Sequence, residues 1–429
     1  MKNRFFVDYL GCKVNSYEVN ALKEELLKKG FLFDSENPDF IILNSCSVTS
    51  SSDKKSRNLT RFYRKNHPNA TLIVAGCSTQ SSDENVYLEA GADVVLGTNN
   101  KAQIIDIIES SATNETKTIY DVDPKFREFN YEEISEITQF DQVRAYVKIQ
   151  DGCDNFCSYC LIPYIRGVSR SRNKENIIKE IGNLIKNSYK EVVLTGIDVA
   201  SYGLDFKNGS NFSSLLKEIL ENHPNLERLR ISSIEESMID DEFLELLKKY
   251  PNICDHMHLS LQSGSNSVLK RMNRKYKTEE FYEKVLKIKS ARPNMCLSTD
   301  IIVGFPGETV EEFNETVEFA KKCEFSKIHV FPYSIRKNTV AAKMKDQIAP
   351  SIKKERVNTL LKLSKELENQ YISRFLGQEL EFLIEQFDRN TKKYKGHSSN
   401  YLECSVESDE NLVNKIVKKV VNFDSVKIS

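Results

Sequence analysis

From Arg4 to about Asn100 the chain alternates short, almost continuous apolar runs with longer amphipathic ones. The apolar runs are RFFVDYLG, FIILNSC, TLIVAGC and ADVVLG; between them lie helical patterns such as EVNALKEELLKKG and SDKKSRNLTRFYRKN. Near-continuous apolar strands separated by amphipathic helices predict βαβ units and an open parallel α/β sheet. From about Glu109 to Asp141 the periodicity fades into acidic and polar sequence, which predicts a linker or crossing segment. A second series begins near Val143. RAYVKIQDGC, EVVLTGI, RLRISSI, HMHLSLQ, CLSTDIIVGF and KIHVFPYS predict the six strands of a partial (β/α)6 barrel. A long helical stretch, about Ser351 to Gly377, leads into short alternating runs that predict a small carboxyl-terminal β-barrel. The expected division is therefore 1–110, a linker over 111–141, a central domain over 142–370 and a terminal domain over 371–429.

This pattern gives the cysteines a place. Cys12, Cys46 and Cys77 each fall just past the end of one of the first three strands. Ligands of open α/β sheets bind outside the carboxyl ends of the strands, so three residues remote in sequence can converge there. Taken singly, each reads as a core or loop cysteine; their shared position in successive units points to one site. Cys153, Cys157 and Cys160 form a C-x3-C-x2-C run in DGCDNFCSYC, directly after the first strand of the second series. Barrel active sites lie at that end.

Composition changes the picture in two ways. A chain of 429 residues, 40% hydrophobic and 29% charged with net charge -1, is a multidomain globular protein and not a polybasic nucleic-acid binder. MKNRFFVDYLGCKVNSYE does not read as a signal peptide, because Asp8 interrupts its apolar run. No stretch approaches the roughly 20 apolar residues that a membrane crossing needs. The expected location is the cytoplasm, where clustered thiols bind metal or do chemistry more often than they form disulfides.

Zinc sites favour four Cys or His ligands, and Cys153, Cys157 and Cys160 have no fourth one nearby. A bacterial ferredoxin run would continue to a fourth cysteine followed by proline, whereas this chain continues as LIPYIRG. A [4Fe-4S] cluster held by three thiolates instead keeps one iron open to a small molecule. Cys254, Cys296, Cys323 and Cys404 are isolated and read as buried thiols.

C-x3-C-x2-C after the first strand of a partial barrel resembles the radical S-adenosylmethionine (SAM) superfamily. Together with LGCKVNSYE, NSCSVT and AGC around the other triplet, essentially the whole chain resembles the radical-SAM methylthiotransferases, with its last segment in the place of their TRAM barrel. DKKSR, KIQDGCDNFCSYCLIPYIRG, SRSR, RISSIE, QSGSNSVLKRMNRKY and HVFPYS look most like the MtaB branch. That branch converts N6-threonylcarbamoyladenosine at tRNA position 37, just 3′ of the anticodon, to its 2-methylthio form.

The resemblance implies two [4Fe-4S] clusters, one on Cys153, Cys157 and Cys160 with SAM on its open iron, the other on Cys12, Cys46 and Cys77 with a sulfur species. It implies that one SAM methylates that sulfur and a second yields the radical that removes hydrogen from C2 of the adenine. An unactivated aromatic C–H offers a general base no acidic proton, so no side chain is assigned as catalytic acid or base; the cofactors carry the difficult step. The resemblance puts Tyr159 on the adenine side of SAM, and Gly304 and Gly307 of DIIVGFPGET beside the adenine. Thr195, Ser260 and Gln262 end strands and are candidates for hydrogen bonds to the cofactor, although polar residues are common there. Ser232, Ser233 and Glu235 of RISSIE end the third strand, where a carboxylate suits ribose hydroxyls.

The implied partners are a tRNA anticodon stem-loop, a sulfur donor and a low-potential electron donor such as flavodoxin or ferredoxin. Phosphate contacts are expected from local basic clusters: Arg166, Arg170 and Arg172; Lys54, Lys55 and Arg57; Arg271, Arg274 and Lys275. Each also reads as a solvated helix face or a surface ion pair. The segment from Arg374 to Ser429 holds nine basic and nine acidic residues, a balance that limits its share of RNA affinity, although base stacking needs no net charge. The alternatives are methylthiotransfer to isopentenyladenosine in tRNA or to a ribosomal-protein aspartate, and a non-catalytic iron-sulfur protein that carries electrons or binds RNA.

Overall fold

The computed structural model of the chain describes residues 2–47, 49–82, 85–99, 101–111, 119–122, 130–424 and 426–428. Strands β1 (Arg4–Tyr9), β2 (Leu32–Phe33), β3 (Phe40–Ser45), β4 (Thr71–Gly76), β5 (Val94–Leu96) and β6 (Ile119–Asp121) form one parallel sheet in the order β2-β1-β3-β4-β5-β6. Both faces of β3 and β4 are buried throughout, which is why their sequences are apolar without alternation. The strand order turns back between β1 and β3, the switch point at which such sheets open a crevice. Cys12 and Cys46 follow those two strands, and Cys77 follows the neighbouring β4.

The span expected as a linker contributes β6 to this sheet; its stretches 112–118 and 123–129 lie outside the described residues. Beyond them, Ile137 and Phe140 bury themselves in the central core.

The central unit comprises β7 (Arg144–Lys148), β8 (Gln150–Asp151), β9 (Arg170–Ser171), β10 (Glu191–Thr195), β11 (Arg228–Ile231), β12 (Ser233–Ile234), β13 (His256–Gln262), β14 (Cys296–Val303) and β15 (Lys327–Pro332). Two parallel sheets run β11-β10-β7 and β12-β13-β14-β15. Because β11 and β12 are one strand interrupted at Ser232, the six strands follow chain order, as a partial (β/α)6 barrel requires. The short antiparallel pair β8-β9 brackets the cysteine loop. Val192, Leu194, Leu229, Ile231, Met257 and Leu259 pack into the main core. The alternate positions Glu191, Arg230 and His256 are buried and polar.

Those polar positions receive the terminal unit. Strands β16 (Glu379–Asp388), β17 (Lys393–Ser398), β18 (Leu402–Val406), β19 (Ile416–Val420) and β20 (Val426–Ile428) form an antiparallel sheet in the order β19-β16-β17-β18-β20. It docks where the barrel strands begin, at the end remote from the cysteine loop. Arg228 and Arg230 donate to the backbone carbonyls of Glu381, His397, Ser398 and Ser399. Tyr401 stacks on His256 with ring centroids 4.2 Å apart and lies 4.9 Å from the Arg230 guanidinium. Its φ of 65° is one that bulky residues seldom adopt, so packing holds it in a costly conformation. Tyr401→Ala is expected to destabilise the protein by about 3 kcal/mol, close to the cost of truncating a core aromatic, read as a lower urea midpoint.

Candidate active site between two cysteine triplets

The amino-terminal triplet is assembled by close backbone approach. Gly11 has φ 103°, and a Cβ there would lie 2.5 Å from the Cys46 Sγ. Gly76 has φ 111°, and its Cβ would lie 2.7 Å from the Ser45 carbonyl oxygen. The glycines of LGC and AGC therefore let the ends of β1, β3 and β4 converge. Cys12 is the N-cap of the helix Lys13–Lys28. Burial pushes the Cys77 thiol up to about 11 against the pull of Arg166, and the charges of Cys12 and Cys46 add to the rise. Arg166 Nε donates to Cys77 Sγ at 3.3 Å.

The second triplet sits in a loop braced from both sides. Phe156 adopts φ 46°, which turns the chain between Cys153 and Cys157. The Cys153 N–H donates to the Gly167 carbonyl at 3.1 Å, and the Cys160 N–H to the Cys157 carbonyl at 3.0 Å. The Ser158 N–H and hydroxyl reach the carbonyls of Met272 and Arg271 at 3.0 and 2.8 Å. Arg274 Nη1 donates to Cys157 Sγ at 3.4 Å while its other terminal nitrogen pairs with Glu235. Burial pushes the Cys153 thiol up and the Cys160 thiol up to about 12.

All ten cysteines are free thiols; Cys254, Cys296, Cys323 and Cys404 are buried, as expected. Among the described residues no three His, Cys, Asp or Glu side chains are arranged to hold a single metal ion. The charges of Cys12 and Cys46 act on Cys77, and those of Cys157 and Cys160 on Cys153, so each triplet stands together as one donor set. The raised thiols of Cys77, Cys153 and Cys160 also suit a cationic partner, whose charge replaces water in stabilising the thiolate. The donor sets therefore fit three-thiolate clusters.

Of the other predicted residues, Tyr159 and Gln262 line one cleft with Cys160 and Asp300, and Ser47 and Thr49 of the first domain complete it. Gln262 has φ 66°, at the place where the β13–β14 register shifts. Glu235 lines a second cleft with Cys157, Asp198 and Arg274; burial pushes its carboxyl up to about 7 despite Arg274. Ser232 and Thr195 are buried at the ends of β11 and β10. The Gly304 and Phe305 N–H groups donate to the Glu308 carboxylate, so this turn is capped from within.

Sequence reasoning passed over Asp198 and Arg336. Asp198 Oδ2 accepts from Asn155 Nδ2 at 3.0 Å and lies 3.7 Å from Cys153 Sγ. Its place just after β10, in LTGIDVASYG, was the available signal. Arg336 joins the two domains, with Nη1 2.7 Å from Asp53 Oδ2 and Nη2 donating to Ser47 Oγ at 2.7 Å. No local pattern marks it. Among the described residues, Ser232 Oγ and Asp198 Oδ1 are buried without a hydrogen-bond partner.

The expected phosphate contacts need correction. Arg166, Arg170 and Arg172 are buried, because Glu18, Asp151 and Glu180 supply carboxylates to them inside the protein; Arg172 also reaches the exposed Glu133. Arg274 is buried against Cys157 and Glu235, and Arg271 pairs with Glu312 at 2.6 Å. KRMNRKY thus buttresses the cysteine loop. Lys54, Lys55 and Lys275 are exposed, and Arg57 is half-buried.

Residues 147–320 match the radical SAM superfamily, and residues 4–97 match "Uncharacterized protein family UPF0004". The chain is 40% identical to the threonylcarbamoyladenosine tRNA methylthiotransferase MtaB of Bacillus subtilis, across 95% of this chain and 91% of that protein. It is 32% identical to the tRNA-2-methylthio-N(6)-dimethylallyladenosine synthase of Acetivibrio thermocellus, across 98% and 89%. In fold it is similar to the radical S-adenosylmethionine methyltransferase TsrM of Kitasatospora setae, with TM-score 0.59, 14% identity and coverage of 80% of this chain and 77% of that one. Among the described residues no helix is long and apolar enough to cross a membrane. With both domains matched and relatives aligned along nearly its whole length, the chain belongs to the radical-SAM methylthiotransferases, a family whose radical chemistry uses a [4Fe-4S] cluster and SAM.

Proposed function

We propose that this protein replaces the C2 hydrogen of N6-threonylcarbamoyladenosine, at position 37 of tRNA, by a methylthio group. The observation that carries this reading is the cleft lined by Ser47 and Thr49 on one side and by Tyr159 and Cys160 on the other. A base entering it meets the neighbours of both triplets. In this reading Cys153, Cys157 and Cys160 hold one [4Fe-4S] cluster with SAM, and Cys12, Cys46 and Cys77 hold a second. When bound, these groups supply the carbon radical and the sulfur.

The work of the chain itself is positional. Ser232 Oγ and Asp198 Oδ1 offer hydrogen bonds across the strand ends, and Gln262 and Asp300 offer polar groups in the cleft. Leu161, Ile162, Ile165, Ile302 and Phe331 form its apolar wall, which keeps water from a reactive intermediate. Lys54, Lys55 and Lys275 supply phosphate contacts to the anticodon stem-loop. The first unit, extended by β6, the central unit with Ile137 and Phe140 in its core, and the terminal unit 371–429 divide these tasks. A sulfur donor and a low-potential reductant such as flavodoxin or ferredoxin complete the reaction.

The threonylcarbamoyl substrate is supported by the higher identity to the relative named for it, 40% against 32% for the one named for dimethylallyladenosine. Mass spectrometry of tRNA nucleosides from a deletion strain tests the choice. The 2-methylthio-threonylcarbamoyl nucleoside should disappear while the dimethylallyl one persists. Unchanged levels of the former reject the proposal, and loss of the latter alone moves the substrate to dimethylallyladenosine.

A further inference from the structure

A buried charge network of unequal sign lies between the first sheet and the barrel. Glu18 pairs with Lys101 at 3.1 Å, Lys148 at 2.8 Å and Arg166 at 2.8 Å. Asp151 pairs with Lys148 at 2.6 Å, Arg166 at 3.1 Å and Arg170 at 3.3 Å. These pairs join four cations to two carboxylates, and none of the six side chains is more than 6% exposed. Charges taken this far from water are normally balanced, so the surplus calls for an anion at the edge of the network.

Arg166 points to where that anion sits. Its Nη1 and Nη2 are occupied by Glu18, Asp151 and Asn15 Oδ1, the last at 2.8 Å, and its Nε is left for Cys77 Sγ at 3.3 Å. The short helix Ile162–Ile165 connects it to Cys160, and the Ile165 carbonyl accepts from Thr98 Oγ1 of the first domain. One short segment therefore runs from a cysteine of one triplet to the sulfur of the other.

We propose that Arg166 is a positioning residue of the amino-terminal cluster: its guanidinium, backed by the surplus positive charge, holds that cluster through Cys77 and raises its reduction potential, while the segment Cys160–Arg166 sets the spacing of the two triplets. This rests on Cys12, Cys46 and Cys77 being cluster ligands. Three thiolates make a [4Fe-4S] cluster anionic before reduction and more so after it, so a cation bonded to a ligand sulfur favours the reduced form.

The test uses the full chain carrying alanine at Cys153, Cys157 and Cys160, reconstituted without air, so that only the amino-terminal cluster reports. Redox titration followed by electron paramagnetic resonance compares this parent with Arg166→Gln and Arg166→Lys. Arg166→Gln is expected to lower the equilibrium constant for reduction at least tenfold, a shift of about 59 mV to more negative potential for a one-electron couple. Arg166→Lys should recover most of that shift. An unchanged potential in Arg166→Gln overturns the proposal. If Arg166→Gln does not fold, Arg166→Lys is read alone: it keeps the charge and loses the Nε contact, so a potential more negative than the parent's by a fraction of that shift supports the role and a potential equal to the parent's overturns it. Failure of the underlying cluster reading looks different, because the parent itself would then bind no iron.

Discussion

Alanine at Cys153, Cys157 and Cys160 is expected to abolish the production of 5′-deoxyadenosine from SAM and to remove about half of the bound iron, with the other triplet still loaded. The two sites hang on different frameworks. Cys153 to Cys160 follow β7 and β8 of the barrel, whereas Cys12, Cys46 and Cys77 end strands of the first sheet. The loop that carries the second triplet is held mainly by bonds that do not pass through sulfur. Cys153 and Ser158 are tied by backbone N–H groups to Gly167 and Met272, and the Ser158 hydroxyl to Arg271. The triple variant should therefore fold, and its defect should be chemical. Alanine at Cys12, Cys46 and Cys77 should likewise halve the iron, yet leave SAM cleavage at least partly intact while product formation stops. Iron analysis and chromatography of 5′-deoxyadenosine after addition of dithionite check both; loss of all iron in either variant would show that the two sites depend on one another.

The second large effect concerns stability. Glu18→Ala should cost about 3–5 kcal/mol, the usual price of removing one partner from a buried ion network, because Lys101, Lys148 and Arg166 all converge on this carboxylate. Burial by itself would raise the pKa of Glu18, but Arg166, Lys101 and Lys148 outweigh it and hold the carboxyl well below its ordinary value. A carboxylate depressed in the folded state stabilises fully above its unfolded pKa of about 4.3. That contribution is lost as the pH falls through the lower folded value. Chemical denaturation of the wild type between neutrality and pH 3 should show this loss, and Glu18→Gln should flatten the dependence at the acid end. A Glu18→Gln protein as stable as wild type at pH 7 and equally acid-sensitive would rule the network out as a main tie between the first two domains.

Much of the architecture was legible because its causes are local. FIILNSC and TLIVAGC are apolar at consecutive positions because both faces of β3 and β4 are covered, and that covering is written into a handful of adjacent residues. The six barrel strands alternate with helices of the right length, which leaves a parallel (β/α) arrangement as the simple solution. β6 was missed because three residues paired to a sheet edge leave too short a pattern to see. Tyr159 was singled out by the family resemblance and Gln262 by its place at a strand end, and both line one cleft. Asp198 and Arg336 were not, since their importance depends on what packs against them.

The sequence by itself determined at which ends of which strands Cys12, Cys46, Cys77 and the Cys153–Cys160 run stand, because strand periodicity is a property of short segments. Only the tertiary structure decided what the arginines do. Arg166 and Arg274 read as surface phosphate contacts along the chain, yet they lie against Cys77 and Cys157. The partners that draw Arg166 inside include Asn15, 151 positions away, and Glu18, 148 away. Whether a guanidinium meets water, a carboxylate or a thiol is settled by desolvation and by the charges folding brings around it, and neither is encoded in its immediate neighbours.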